Sequence, residues 1–232
     1  MNGQDLANYA LFPIGLVLGI FAWRAGRVRP AIAWRGREAG LGLLIGTVAI
    51  VAIFAIEVAA GLARVTGASG AVGEILVLLV YLAILGTVEE LIFRGLLLAG
   101  LLELTGRAWL ATGITALLVA LPYTLAEGAN PLTFLSAFLA GVMYGVAYLR
   151  TGRIWLSVGL RTAWNFVQGP VLGFTVSGTS IGSDSILQLD TDGPTWLAGG
   201  AYGPEGGLIA IAVRLAVIAF LVVAVRRSLP SP

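Results

Sequence analysis

The sequence contains no cysteine, no histidine and no lysine, and it is poor in charge of either sign. Without cysteine there are no disulfides, and the redox compartment stays undetermined. Without cysteine and histidine, no zinc site of the usual ligand types can be built. Charged residues make up 11% of the 232, where a soluble globular domain carries about 25%. All fourteen basic residues are arginine, and the net charge is only +2. That small excess, spread over several places, excludes nucleic acid as a partner. The abundant class is apolar, at 58%. A water-soluble core of this size cannot hide so much apolar surface, so lipid is the solvent for most of the chain.

A bilayer core about 30 Å thick needs roughly 20 apolar residues per helical span. The sequence predicts an all-α, polytopic membrane bundle of about seven spans. These run from about Leu6 to Trp23, Ala39 to Ala63, Val72 to Leu104, Trp109 to Ala126, Leu132 to Leu149, Ile154 to Val176 and Gly207 to Val225. The third is too long for one plain span, which predicts a kink or a partly interfacial second half. Pro122 and Pro170 are expected to kink the fourth and sixth. No segment alternates like a membrane β-barrel strand. The chain reads as one multi-pass domain over 1–232, with its core at about 72–176 and an outer loop at 177–206. That loop, rich in Gly, Ser and Asp, is the expected mobile part. Gly-rich faces such as GLGLLIG suit helix packing within or between chains.

Arginine positions predict orientation. Arg24, Arg27, Arg29, Arg35 and Arg37 crowd the first loop, which places that loop in the cytoplasm. Seven crossings put Arg107, Arg150, Arg153, Arg226 and Arg227 on the same side. Asp184, Asp190, Asp192 and Glu205 then fall outside, with Arg64 as the one basic residue there. The expectation is an N-terminus outside, a C-terminus inside, and a bacterial plasma membrane. No positive region precedes the first apolar run, so no cleaved signal peptide is expected.

Some ionisable residues cannot be assigned to loops: Glu57, Glu89, Glu90, Arg94, Arg161 and Arg214. Each costs at least about 2.5–3.5 kcal/mol at a helix centre, so each must face a partner or a water-filled cavity. Glu90 and Arg94 are four residues apart and share a helix face in the favourable order for an ion pair. Glu89 is rotated about 100° away, towards a different neighbour. Arg161 and Asn165 share a face of the sixth span. Such pairs serve equally as helix glue or as a transport pathway. Glu57 lies near enough to a helix end to reach water, and Arg214 can snorkel or pair.

The stretch EELIFRG, followed downstream by AFLAGVMYGVAYLRTGRIWLSVGLRTAWNF, resembles the CPBP family of intramembrane glutamic endopeptidases. That family includes CAAX prenyl proteases and bacteriocin-immunity (Abi) proteins. The resemblance runs from about Leu85 to Phe166 and covers the family's EExxxR motif, its Gly-rich helix and its HxxxN helix. Both family histidines are replaced. The FxxxH motif reads VALPY, with Val119 and Tyr123 at its two positions, and the histidine of HxxxN is Arg161, with Asn165 retained.

In the family, a glutamate and a histidine polarise a water for attack on a peptide carbonyl. Carried over residue by residue, the resemblance makes Glu89 the base, Glu90 its partner bound to Arg94, and Asn165 an oxyanion donor. Tyr123 donates a hydrogen bond but, with an ordinary pKa near 10, is a poor proton shuttle. Arg161 is permanently cationic and cannot accept a proton. Placed beside Glu89, it lowers that carboxylate's basicity and balances the cluster as two complete ion pairs.

Three readings stay open. One is a pseudoprotease that binds or scaffolds a membrane-embedded or membrane-associated protein or peptide. Another is an active endopeptidase in which Glu89 activates water while Arg161 and Asn165 hold the oxyanion. The third, a transporter, is disfavoured by the resemblance. No cofactor and no metal are expected, because the site offers two carboxylates and an amide, and two arginines oppose a cation.

Overall fold

A computed structural model describes residues 32–70, 72–181 and 185–225, together with 13, 15–21 and 23–25. Much of the expected first span, and Arg27, Arg29, Asp184, Arg226 and Arg227, lie outside the described residues. Helix α1 (Gly36–Ala59) leads into strand β1 (Ala63–Ala68). Helix α2 (Val72–Glu90) continues through a π-helical stretch, Leu91–Leu98, into α3 (Ala99–Thr105). Helices α4 (Ala108–Ala120), α5 (Pro131–Thr151) and α6 (Trp155–Phe166) follow. Strand β2 (Leu187–Thr191), the single turn α7 (Thr195–Ala198) and α8 (Leu208–Ala224) complete the chain. The protein is an all-α polytopic membrane bundle with one short sheet added.

Among the described residues, four helices are long and apolar enough to cross a bilayer: Gly36–Ala59, Gly73–Thr105, Ala108–Leu125 and Pro131–Thr151. The long third span is neither split nor broken by a non-helical kink. Its 33 residues extend about 50 Å at 1.5 Å per residue, and the π-helical turns absorb the irregularity. Pro122 converts the end of α4 into a 3₁₀ turn over Leu121–Leu125, and Pro170 lies within a π-helical turn, Val167–Val171, that ends α6. Helix α5 begins with a capping box. The Leu132 amide donates to Asn130 Oδ1 at 2.8 Å, and the Asn130 amide donates to Thr133 Oγ1 at 2.9 Å.

The Gly-rich stripe of α1 packs within the chain. A Cβ on Gly42 would sit 2.2 Å from the Leu156 carbonyl oxygen, and one on Gly159 would sit 2.1 Å from that of Ala39. Backbone therefore meets backbone between α1 and α6, which only glycine permits. Gly141 and Gly145 bring α5 close to α4, where an added Cβ would sit 2.7 Å from Ala116 Cα and 2.9 Å from Thr112 Cγ2. These approaches centre the core on Trp164, buried among Ile50, Ile53, Met143, Leu160 and Leu221.

The two ends of the bundle differ. At one, Arg153 pairs with Glu38 at 3.0 Å, Arg150 Nε donates to the Val225 carbonyl, and Trp155 stacks edge-on against Trp34. At the other, β1 and β2 pair antiparallel, with Arg64 opposite Asp190 and a bulge between Val65 and Gly67. This sheet was not expected, and it corrects the reading of 177–206 as plain loop. The segment carries β2, α7 and two 3₁₀ turns, Gly200–Tyr202 and Pro204–Gly206, with Tyr202 and Glu205 buried.

Candidate functional site

The sequence places Glu89 and Glu90 on the last turn of α2, and the π-helical stretch begins at the next residue. Helices of that kind are rare and concentrate at functional sites. Arg94, inside it, donates from Nη1 to Glu90 Oε1 at 3.0 Å and from Nη2 to the Gly141 carbonyl at 3.1 Å. Both Glu90 and Arg94 are fully buried. Arg161 arrives from α6 and donates to two carboxylates, from Nε to Glu90 Oε1 at 2.7 Å and from Nη1 to Glu89 Oε2 at 2.5 Å. The two separate pairs expected from charge balance are therefore one chain, Arg94–Glu90–Arg161–Glu89. A single oxygen of Glu90 accepts from both arginines, while its Oε2 has no partner among the described residues.

Tyr144, which sequence reasoning missed, contacts both cations. Its ring lies 4.6 Å from the Arg161 guanidinium and 5.3 Å from that of Arg94. Two like charges facing one π cloud are each stabilised by it. The available signal was position: Tyr144 sits beside Gly145 and three residues after Gly141, on the face that approaches α4.

These groups open onto a cavity of about 400 Å³ lined also by Tyr123, Asn165, Tyr81 and Trp164. The six site residues carried over from the family resemblance, Glu89, Glu90, Arg94, Tyr123, Arg161 and Asn165, come together here. Glu90 and Arg94 form the floor behind the lining, and Glu89, Tyr123, Arg161 and Asn165 face the space. The Glu89 side chain keeps 15% of its surface exposed, against 0% for Glu90. Among the described residues, no three of Asp, Glu, His or Cys converge as metal ligands.

A second polar cluster also contributes to the lining. Glu205 Oε1 accepts from Ser177 Oγ at 2.9 Å, Oε2 accepts from Gln168 Nε2 at 3.1 Å, and Arg214 Nη2 stands 3.8 Å away. Arg214 does not snorkel. It is buried, donates to the Ser136 carbonyl at 2.9 Å and to the Ser136 hydroxyl, and stacks 4.7 Å over Trp164. Burial and the neighbouring Glu205 carboxylate push the Tyr202 phenol well up, so it stays a neutral hydrogen-bond donor at the cavity edge.

Glu57 also departs from expectation. It does not reach water: it is fully buried, and neither carboxylate oxygen has a partner among the described residues. The chain reverses at Gly61 and runs straight into β1, with the Leu62 amide bonded to the Glu57 carbonyl, and so folds over the last turn of α1.

Residues 71–167 match the family model of Rce1-like type II CAAX prenyl endopeptidases. This helical core is similar to the CAAX prenyl endopeptidases. No curated protein and no solved structure matches the chain significantly. The matched segment holds every member of the Glu89–Glu90–Arg94–Arg161 chain, together with Tyr123, Tyr144 and Asn165. Ser177, Glu205 and Arg214, which complete the CAAX-protease-like cavity, lie outside it.

Proposed function

We propose that this CAAX-protease-like membrane protein is a pseudoprotease. Its cavity binds a membrane-embedded or membrane-associated peptide or protein segment without cutting it. The observation that carries this reading is Arg161 bridging Glu89 and Glu90 at 2.5 and 2.7 Å. A water-activating carboxylate must take up a proton, and here Glu89 Oε2 already accepts from the Arg161 guanidinium, a group with no lone pair to relay that proton. No imidazole is present to share the task. Two carboxylates neutralised by two arginines make a stable polar wall rather than a poised base. The same reading treats 1–232 as one membrane domain in a bacterial plasma membrane, with the arginine-rich end in the cytoplasm and the sheet end outside.

One observation favours a second reading. Glu89 remains partly exposed to the cavity beside Arg161 and Asn165. In an active enzyme, water held by Glu89 adds to the peptide carbonyl carbon as its proton passes to the carboxylate. Arg161 and Asn165 hold the oxyanion, and the departing amine takes the proton back as the C–N bond breaks.

The deciding experiment is cleavage of a mixed peptide library, including prenylated CAAX peptides, by the purified protein in lipid. Wild type is run beside Glu89→Gln and a Tyr123→His, Arg161→His variant. The expected result is cleavage by the histidine-bearing variant alone. Cleavage by wild type, abolished in Glu89→Gln, overturns the pseudoprotease in favour of the glutamate-dependent endopeptidase.

A further inference from the structure

The roof of the cavity is not built by the membrane helices. Val176, Ser177, Thr179 and Ile181 come from the turn after α6, and Tyr202 and Glu205 from the chain between β2 and α8. Val176 and Thr179 exchange two backbone hydrogen bonds of 2.9 Å. They close a tight hairpin in which Ser177 (φ 51°) and Gly178 (φ 82°) both take the left-handed conformation. Glycine and asparagine suit such turns, and serine is strained there. Among the described residues, Ser177 is the one non-glycine with positive φ.

The strained serine is tied to a buried carboxylate, and that carboxylate ties the roof to the bundle. Glu205 meets the hairpin through Ser177, the end of α6 through Gln168, and α8 through Arg214. Backbone contacts add to this: the Gly178 amide donates to the Tyr202 carbonyl at 2.8 Å, and Asn130 Nδ2 donates to the Gly206 carbonyl at 3.1 Å. The fastening is incomplete, because Arg214 Nε and Gln168 Oε1 are buried without partners among the described residues. Unsatisfied buried polar groups weaken the closed arrangement relative to any opening that hydrates them.

The strap 192–207 runs between two fixed points, β2 held by β1 and the first turn of α8. Within it Gly199, Gly200 and Gly203 have φ of 83°, 59° and 100°, conformations that let the chain reverse sharply. From fixed ends, glycine joints and a side-chain fastening centred on Glu205, we propose that the strap is a hinged lid over the cavity and that Glu205 is its latch. Release of Glu205 lifts Tyr202 and the carboxylate away and admits a peptide segment from the sheet end to Asn165, Arg161 and Glu89. The lid rests on the reading of the cavity as a binding chamber and adds how that chamber opens.

The absence of cysteine makes a direct test possible. Single cysteines are placed at Ala137, on the cavity wall, and at Ala147, in the core of the same helix. Each is labelled with a charged, water-soluble maleimide in the full-length protein in lipid. Glu205→Gln is expected to speed labelling at 137 about tenfold by shifting the lid equilibrium. Ser177→Ala is expected to act in the same direction and more weakly, and labelling at 147 is expected to stay constant in both. An unchanged or slower rate at 137, or a parallel rise at 147, overturns the lid. No peptide is cut or bound in this measurement, so its failure is separate from failure of the pseudoprotease reading.

Discussion

The two ion clusters that contribute to the cavity lining are built on opposite plans. The Glu89–Glu90–Arg94–Arg161 chain joins side chains from the α2–α3 span and α6 at 2.5 to 3.0 Å, and its inner pair is sealed from solvent. The Glu205 cluster hangs a carboxylate from a loop, 3.8 Å from its arginine, and relies on a hydroxyl and an amide for closer contact. Rigid helices can hold charges at contact distance in a low-dielectric core, where breaking a pair is severe. A loop cannot enforce that distance, and it gains the freedom to let go. The first plan suits a fixed polar wall and the second a movable one.

The contrast is tested most severely at its buried centre. Replacing Arg94 by Met strands the fully buried Glu90 on Arg161 alone and frees the Gly141 carbonyl. Removing one partner of a buried pair is expected to cost about 3–5 kcal/mol, read by denaturation in detergent micelles. A loss no larger than that of a surface pair would erase the distinction between the two plans.

Next in size is Arg161→Gln, expected to cost about 2–4 kcal/mol because Glu89 and Glu90 both lose a donor. Adding Glu89→Gln removes the stranded carboxylate and leaves Glu90 paired with Arg94, so the double variant is expected to recover at least about half the loss. Strict additivity in that double-mutant cycle would mean that Arg161 does not stabilise Glu89. The second cluster should respond less. Arg214→Gln is expected to cost about 1–3 kcal/mol, mostly through its bonds to Ser136 rather than the long pair to Glu205. Combining it with Ser136→Ala, which removes the hydroxyl, separates these contributions.

The difference between the clusters is also a difference in what a sequence can reveal. Glu90 and Arg94 are four residues apart on a helix, so their pairing follows from helical geometry alone. Arg161 required the resemblance of its helix to the family's HxxxN motif, since 71 residues separate it from Glu90. Glu205 carried no local signal. Its partners Ser177 and Gln168 lie 28 and 37 residues away, and only the closed roof brings them together. The β1–β2 sheet was hidden for the same reason, as ARVTGA is a short strand whose partner begins more than 100 residues later. Glu57 looked solvated because distance from a helix end ignores a chain that doubles back. The GLGLLIG stripe did announce a close helix contact, yet not whether its partner was α6 or another copy. The π-helical stretch was hidden too, because LIFRGLLL has the same apolar character whichever hydrogen-bond register it adopts.

The gentlest test lies outside the cavity, at the arginine-rich end. Arg153 and Glu38 are separated by 3.0 Å, the same distance as Arg94 and Glu90, but their side chains are 27% and 19% exposed. Water and salt screen such a pair, and holding two long side chains together opposes the gain. Glu38→Gln is expected to change stability by no more than about 1 kcal/mol and to lose even that effect at high salt. The identical distances make this the sharpest control. If Glu38→Gln were as damaging as Arg94→Met, separation rather than burial would set the strength of an ion pair in this protein. The compact helical cluster would then owe nothing to its seclusion, and the looseness of the Glu205 latch would follow from its 3.8 Å alone.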